Sequence, residues 1–357
     1  MRKSSKSPEP SGLSRRQFLE RASAGAMGAA GAMGASLAPG ILLGKSNKSG
    51  SRVVLGSGEH TYELVPGWGQ LPNGVKYGYT HGVQIDQHNR VIVHNQSKDS
   101  VIIFDHKGKY IKSWGPEFQK GAHGCLLRKE EGTEYLYLSD YERHIVVKTT
   151  LDGETIWTLN WPQDSGVYKA EAEFKPTNTV VAPNGDIYVA DGYGQSYVHQ
   201  YNSKRERIRT WGGKGSEAGK LDCPHGIWID TRGAEPIVVV ADRSNSRLQT
   251  FTLDGKHIAF FTDAMRAPCH FDQAANGDLL IPDLHGVVTI YDRNNKSVAQ
   301  LGDNPGVWDV NGWPNLPDTT WVPGKFISPH AACWDKRGDM YVVEWIEEGR
   351  VTKLRRV

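Results

Sequence analysis

Long hydrophobic runs and an excess of charge of either sign are both scarce in this chain. The mean hydropathy is −0.51, and no apolar stretch after residue 44 is long enough to span a bilayer. Residues 1–44 hold six of the 42 Lys and Arg and two of the 40 Asp and Glu. The remainder is therefore almost neutral, with two more acidic than basic side chains. That balance argues against a nucleic-acid surface, which needs clustered positive charge.

Cysteine is also rare, with four residues in 357. They are Cys125, Cys223, Cys269 and Cys333, and each lies near the same position of a repeated sequence unit. Cysteines at equivalent positions of different units can be bridged only if their Cα atoms approach within about 7 Å. An exported protein would permit disulfides, but we expect mostly free, buried thiols.

Glycine and tryptophan are abundant, with 40 and 11 residues, as expected of many short strands joined by tight turns. The clearest repeat begins at Cys223-Pro224-His225-Gly226, continues through the apolar run 237–241 and the polar turn Asp242-Arg243-Ser244-Asn245, and ends in two further strands. This is one four-stranded antiparallel unit in about 45 residues, the period of a propeller blade. Six copies align, beginning near residues 81, 123, 177, 225, 269 and 330.

The last copy ends after its third strand, at residues 351–354. Residues 61–69 precede the first copy and resemble the fourth strands of other copies, such as 110–115. The sequence therefore predicts an all-β, six-bladed propeller of four-stranded blades over residues 45–357, with the N-terminal strand closing the last blade. Two stretches outside the repeat, residues 157–174 and 305–326, are placed to cover one face.

Residues 1–44 form a separate segment. It contains Arg15-Arg16-Gln17-Phe18-Leu19, followed by an uncharged Ala/Gly-rich stretch over residues 22–43. This order resembles a twin-arginine export signal. The resemblance implies a periplasmic or otherwise exported protein that meets the twin-arginine export machinery, and membrane contact only if the leader stays uncleaved. A basic tail followed by an Ala/Gly helix is the alternative.

Histidine recurs at the position where the first strand of each blade should line the central channel. When the six copies are aligned on their turn residues, this position is occupied in chain order by His81, His123, Thr177, His225, Cys269 and His330. His270 should face away from Cys269, because adjacent strand residues point to opposite sides; a one-residue slip would exchange them. His81, Cys269 and His270 are thus candidate additional channel residues.

Three of these histidines come from alternate blades. His123, His225 and His330 should converge on the axis from three sides, the arrangement of a catalytic zinc with open positions. Zinc is the default, although nitrogen ligands also suit copper, iron or nickel. A hydrogen-bonded structural role is the alternative for any one histidine.

The chain resembles NHL-repeat propellers, and among them the peptidyl-α-hydroxyglycine α-amidating lyases. The resemblance covers roughly residues 120–357 and rests on an ordered set of motifs: His123-Gly124, Asp191-Gly192-Tyr193, Pro224-His225-Gly226, Asp242-Arg243-Ser244-Asn245-Ser246-Arg247 and Pro329-His330. It implies a zinc held by the three histidines, a catalytic Tyr193 and an active-site Arg243. The implied reaction splits a carbinolamide, a small or peptide-like substrate, into an amide and an aldehyde.

The chain also departs from that family. The family carries an Asp directly after the third zinc histidine for a structural calcium, and Ala331 stands there, which makes calcium doubtful. The family's other active-site arginine has no clear counterpart in the turn 94–97. Tyr193 could instead cap a turn, and Arg243 could pair only with Asp242 or with a neighbouring blade.

Two other classes of function therefore stay open. One is a non-catalytic propeller that binds a protein or glycan. The other is a periplasmic metal or redox protein with Cys269 as a soft ligand. Lactone-hydrolysing propellers bind their divalent metal mainly through Glu, Asn and Asp. The histidines of this chain therefore argue against a lactone hydrolase.

Overall fold

The computed structural model describes residues 42–44 and 52–357. The predicted export leader lies outside the described residues except for its last three. In chain order the strands are β1 (Leu42–Gly44), β2 (Arg52–Leu55), β3 (Tyr62–Val65), β4 (Thr80–Ile85), β5 (Val91–Asn95), β6 (Val101–Phe104), β7 (Tyr110–Trp114), β8 (Ala122–Glu130), β9 (Thr133–Asp140), β10 (Ile145–Thr150), β11 (Thr155–Leu159), β12 (Asn178–Val181), β13 (Ile187–Ala190), β14 (Tyr197–Tyr201), β15 (Arg207–Gly212), β16 (Pro224–Asp230), β17 (Ile237–Asp242), β18 (Arg247–Thr252), β19 (His257–Phe261), β20 (Asp272–Gln273), β21 (Leu279–Asp283), β22 (Val287–Tyr291), β23 (Ser297–Leu301), β24 (Pro329–Trp334), β25 (Met340–Glu344) and β26 (Arg350–Arg356).

The strands form six antiparallel sheets. Blades 1 to 5 are β4–β7, β8–β11, β12–β15, β16–β19 and β20–β23, and blade 6 contains β24, β25, β26 and β3. One-turn 3-10 helices lie between strands, at Gly58–His60, Pro116–Phe118, Gln163–Ser165, Glu171–Glu173, Arg243–Asn245, Val307–Asp309 and Asp318–Thr320. Over the described ranges, no helix combines the length and the apolar character that a membrane crossing requires.

Hydrophobic clusters between successive blades join them into a ring. Central strands such as β6 and β22 are buried along their whole length, because a neighbouring blade covers each face of the sheet. Six clusters each contain side chains of two neighbouring blades. One of them joins the first blade to the last, packing Val83 and Val93 of blade 1 against Tyr341 and Val343 of blade 6. The predicted all-β six-bladed propeller is therefore confirmed.

The N-terminal strand closes the last blade as predicted. In the register of β3 and β26, Val65 lies opposite Lys353 and Leu64 opposite Leu354. The sheet then continues outward through β2 and β1, so blade 6 has six strands rather than the predicted four. The two added strands pair only along the outer edge, which no repeat pattern signals.

All four cysteines are buried and free, as expected from their equivalent positions.

Candidate metal and active site

Four histidines, called here the axial histidines, occupy the same place in four blades. Each is the second residue of an innermost strand, β4, β8, β16 or β24, and they are His81, His123, His225 and His330. In all four strands the ladder register shifts at this point. Such a bulge re-aims a side chain out of the regular alternation. A shared backbone irregularity thus accompanies each histidine.

The four rings converge. The ring centres of His123, His225 and His330, from alternate blades, lie 4.7–4.9 Å from one another. The ring centre of His81 lies 4.6 Å from that of His123 and 4.5 Å from that of His330. All four residues are at most 3% exposed. The predicted convergence of three blades on one point is therefore present, with a fourth ring beside it.

Backbone carbonyls of the odd-numbered blades hold three of these rings. His123 Nδ1 lies 2.6 Å from the carbonyl oxygen of Thr177, and His225 Nδ1 lies 3.0 Å from that of Cys269. His330 Nδ1 lies 2.8 Å from the carbonyl oxygen of His81. A carbonyl only accepts, so Nδ1 must carry the proton and Nε2 is left as a bare lone pair. This is the outer-shell arrangement that orients metal-binding histidines.

The glycine after two of these histidines makes room for that carbonyl. A Cβ on Gly124 would stand 2.6 Å from the carbonyl oxygen of Thr177, and a Cβ on Gly226 would stand 2.4 Å from that of Cys269. Both distances are shorter than any real contact of a Cβ atom. The His-Gly pairs of the sequence therefore act as units, in which histidine binds the neighbouring blade's carbonyl and glycine admits it.

Burial keeps the axial histidines neutral. It lowers the pKa of His123 to about 3, and it lowers the pKa values of His81, His225 and His330 well below 6.5. The positive charge of Arg243 acts in the same direction on all four. Neutral imidazoles with their Nε2 lone pairs directed inward are the form that binds a metal ion. The residues therefore fit a nitrogen-ligated divalent metal.

The tightest group of potential ligand atoms differs from the predicted one. Within the described residues, ring nitrogens of His81, His123 and His330 all lie within 4.8 Å of one another, and His225 falls outside this group. His225 Nε2 instead lies 3.2 Å from the hydroxyl of Tyr193. The structure thus places His81 among the candidate ligands, while His225 faces both the other rings and Tyr193.

The Tyr193 hydroxyl lies between two axial histidines. Its oxygen is 3.1 Å from His123 Nε2 and 3.2 Å from His225 Nε2. Arg243 Nη1 lies 3.5 Å from the same oxygen. Burial raises the pKa of the Tyr193 phenol to about 12, and Arg243 acts in the opposite direction. The Tyr193 side chain thus points to the axial histidines rather than capping a turn.

The Asp191-Gly192-Tyr193-Gly194 turn is built to place that tyrosine. The Asp191 carboxylate accepts hydrogen bonds from the backbone N–H groups of Lys175 and Gln195, each at 2.7 Å. A Cβ on Gly192 would lie 2.4 Å from the Pro224 carbonyl oxygen, and one on Gly194 would lie 2.1 Å from Asp191 Oδ1. Both glycines are therefore required by space.

Arg243 lies beside Tyr193 without a carboxylate partner in the part of the chain that the structure describes. Its Cζ is 5.3 Å from the Tyr193 ring centre, and Nη2 is 3.2 Å from Cys223 Sγ. Asp242 pairs instead with Arg247, at 2.7 Å. A pairing of Arg243 with Asp242 is therefore wrong, whereas its contact with Tyr193 is one with the neighbouring blade. A partly buried guanidinium without a counter-ion is a ready anion site.

Cys269 and His270 lie in different surroundings. The Cys269 carbonyl holds His225, and its Sγ lies 3.4 Å from the Ala267 carbonyl oxygen. His270 borders a cavity of about 230 Å³ that Gln84, Thr179 and Trp228 also line. The two neighbours thus have separate environments, as the strand alternation predicts.

Two further polar residues at the site were not anticipated. The Tyr141 ring centre lies 5.5 Å from that of Tyr193 and 6.0 Å from that of His123. Gln96 Nε2 donates to the Tyr141 hydroxyl at 2.9 Å. Gln96, Tyr141 and Arg243 hold equivalent positions in three blades, directly after Asn95, Asp140 and Asp242. Aligning the repeats on Arg243 would therefore have identified Gln96 and Tyr141 as candidate site residues.

An apolar wall stands beside the Cys269 position. Leu284 and Cys269 belong to one buried cluster, against which the partly exposed Trp313 and Trp345 pack. Trp313 comes from the 305–326 stretch, and its indole donates to the Ile327 carbonyl at 3.0 Å. That stretch is therefore packed against blades 5 and 6 next to the axial residues.

No family model matches the chain. The human NHL repeat-containing protein 3 is 26% identical over 203 residues, covering 54% of this chain and 57% of that protein. The peptidyl-alpha-hydroxyglycine alpha-amidating lyase 1 of Drosophila melanogaster is 30% identical over 155 residues, which is 40% of this chain and 27% of the fly protein. A probable lyase of the same name from Caenorhabditis elegans is 29% identical over 160 residues, 43% of each chain. The chain thus spans little more than half the length of the human relative.

Solved structures show the fold. A gluconolactonase from Xanthomonas campestris superposes with a TM-score of 0.58 at 12% identity, covering 90% of this chain and 99% of that one. A streptogramin B lyase superposes with a TM-score of 0.53 at 13% identity, covering 84% and 98%. At such identities the likeness concerns architecture alone. The chain is therefore a six-bladed β-propeller whose sequence relatives are NHL-repeat proteins and peptidyl-α-hydroxyglycine α-amidating lyases.

Proposed function

We propose that this chain is an exported, metal-dependent lyase that splits a carbinolamide into an amide and an aldehyde. One observation carries the proposal: the Tyr193 hydroxyl lies within hydrogen-bond distance of two inward-facing histidine nitrogens and of Arg243, which has no carboxylate partner among the described residues. The lyase relatives support the choice of reaction. The twin-arginine pattern at Arg15-Arg16 supports the export.

The metal would be held by His123, His225 and His330, whose Nδ1 protons are committed to carbonyls. When bound, it would supply a Lewis acid that acidifies a substrate hydroxyl. Zinc is the default, and copper or iron also fit nitrogen ligands. We do not include calcium, because Ala331 offers no ligand oxygen from its side chain.

The residues of this chain would then do three things. Arg243 binds the substrate carboxylate through charge-assisted hydrogen bonds. Tyr193 would act as the phenolate, with the pKa that burial raises brought down by the positive charges of Arg243 and of a bound metal ion. Its Oη would then take the proton of the substrate hydroxyl. As the C–O bond becomes a carbonyl, the C–N bond breaks, and the departing amide nitrogen takes that proton back from Tyr193 Oη. An N-acyl-α-hydroxyglycine thus yields a primary amide and glyoxylate, with no oxidant or added water in the balance.

The apolar wall adds an expectation about the substrate. Trp313 and Trp345 lie near the axis and stay partly exposed, so they can contact an apolar acyl group. A substrate with a carboxylate at one end and an aromatic acyl group at the other matches the two sides of the site. N-benzoyl-α-hydroxyglycine is such a molecule.

Turnover of that compound tests the function. Protein loaded with a divalent metal, with zinc, iron, cobalt and copper tried in turn, should release benzamide and glyoxylate well above the rate in buffer. Removal of the metal with a chelator should abolish the excess, and added metal should restore it. The products are measured by liquid chromatography. Absence of turnover with zinc, iron, cobalt and copper alike would contradict the proposal.

Replacement of Arg243 tests the anion site. We expect Arg243→Gln to lower kcat/KM for the carboxylate substrate by roughly 10²–10³-fold, because a preorganised charged donor is lost. The methyl ester of the same substrate should be affected much less. Arg247→Gln is the matched control, since Arg247 pairs with Asp242 in the same turn. Equal losses for acid and ester would argue against carboxylate binding.

A further inference from the structure

We propose that His81 is a fourth nitrogen ligand, so that the axial metal is held by four imidazoles rather than three. This inference rests on the metal site of the proposed function and extends it to a residue outside the trio. It concerns the first blade, which lies between the blades that carry His330 and His123 in the ring.

The backbone supports His81 as it supports the trio. His81 is the second residue of its innermost strand, and the ladder register shifts between Thr80 and Gly82. The same irregularity accompanies the other three axial histidines. The shift is not confined to histidine, since in blade 5 the pairs Pro268–Asp283 and Asp272–Leu280 also differ in register by one residue across Cys269. The shift therefore marks the place where an innermost strand re-aims a side chain, and His81 holds that place in blade 1.

The axial histidines have more nitrogen lone pairs than the neighbouring donors can satisfy with hydrogen bonds. His330 has its Nδ1 proton committed to a carbonyl, so its Nε2 must accept, and His81 Nδ1 lies 3.2 Å from that Nε2. If His81 Nδ1 donates there, its own Nε2 is a lone pair, and this buried atom has no hydrogen-bond partner. The Tyr193 hydroxyl has one proton, which can serve only one of its two neighbouring nitrogens.

A buried acceptor without a donor is costly unless something positive compensates it. Four imidazoles meet here, and the donors available among the described side chains are too few for their lone pairs. A cation among them satisfies all of these atoms together. Ring nitrogens of His81, His123 and His330 within 4.8 Å of one another place His81 close enough to share it.

Four protein ligands change which metal suits the site. A tetrahedral zinc would be saturated by four imidazoles and would have no position for substrate. A metal that also binds substrate must therefore accept at least five ligands, as divalent iron, cobalt, nickel and copper readily do. The fourth histidine thus shifts the metal preference away from tetrahedral zinc.

Metal titration of the whole protein tests this. Metal-free protein is loaded with Co²⁺ and its visible spectrum recorded, and the Zn²⁺ Kd is measured by competition with a chromophoric chelator. We expect His81→Phe to raise the Zn²⁺ Kd by roughly 10–100-fold and to change the visible spectrum of the Co²⁺-loaded protein. His94→Phe is the control: His94 is equally buried in β5 of the same blade but lies outside the ligand group.

A second measurement avoids any mutation. The protein is loaded with Cu²⁺, and pulsed electron paramagnetic resonance counts the coordinated imidazoles. Four would support the proposal, and three in both the unmodified protein and His81→Phe would overturn it while the trio of the proposed function stands. An unchanged Kd and spectrum in His81→Phe would overturn it in the same way. If the unmodified protein binds none of these metals, the proposed function fails together with this inference.

Discussion

Replacing His123, His225 and His330 together by alanine is expected to abolish both metal binding and turnover. Each ring presents an Nε2 lone pair because its Nδ1 proton is bound to a carbonyl of the next blade. Of the axial histidines, only His81 then remains. A single imidazole binds a divalent ion too weakly for the ion to stay bound during purification. Metal content is measured by mass spectrometry of protein purified without nickel affinity, and turnover is measured by glyoxylate release.

A matched control is His270→Ala, which changes a histidine that borders a cavity of about 230 Å³ and lies outside the group of candidate ligand atoms. It should keep both metal and activity. Circular dichroism should show that the triple variant still folds, because the hydrophobic clusters between blades contain none of the three histidines. Full metal content in the triple variant would refute the axial site. Loss of metal in His270→Ala alone would mean that the two neighbours in blade 5 had been assigned the wrong way round.

Replacing Tyr193 by phenylalanine is expected to slow turnover by roughly 10²–10⁴-fold, the usual contribution of a positioned acid or base. The ring would stay, so its packing against His123 and Arg243 would persist. Only the hydroxyl between the two Nε2 atoms would be lost. We expect kcat to fall and metal content to remain, because the hydroxyl is not needed to hold the histidines.

Tyr141→Phe is the comparison that isolates the hydroxyl of Tyr193. The Tyr141 ring lies in the same pocket, but its hydroxyl accepts from Gln96 rather than facing the histidine nitrogens. Its removal should change kcat by less than tenfold, as expected of one peripheral hydrogen bond. Equal kcat losses in the two variants would show that neither hydroxyl moves the proton. A normal kcat in Tyr193→Phe would eliminate the proposed base.

Patterns that recur along the chain could be predicted well. Turn residues and apolar runs fixed six blades, and an incomplete last copy indicated that the strand Tyr62–Val65 would close the ring. These features are local, since each strand needs only its own neighbours to be recognised. The outer strands β1 and β2 were not foreseen, because edge pairing leaves no repeating mark in the sequence.

The candidate site was predicted only in part. The histidine positions followed from the repeat, yet their order in the sequence could not show that His81 approaches His330 while His225 turns toward Tyr193. Nor could it show that Arg243 lacks the partner that Asp242 gives to Arg247. Such choices depend on how side chains of neighbouring blades pack against one another once the ring has closed.

By itself, the sequence determined the type of blade, the number of blades and the residues that reach the axis, because strand alternation and turn chemistry act over a few residues. Only the tertiary structure decided which nitrogen of each ring faces inward. That choice belongs to the carbonyl oxygens of Thr177, Cys269 and His81, which come from the neighbouring blades and face the rings only once the ring of blades has closed.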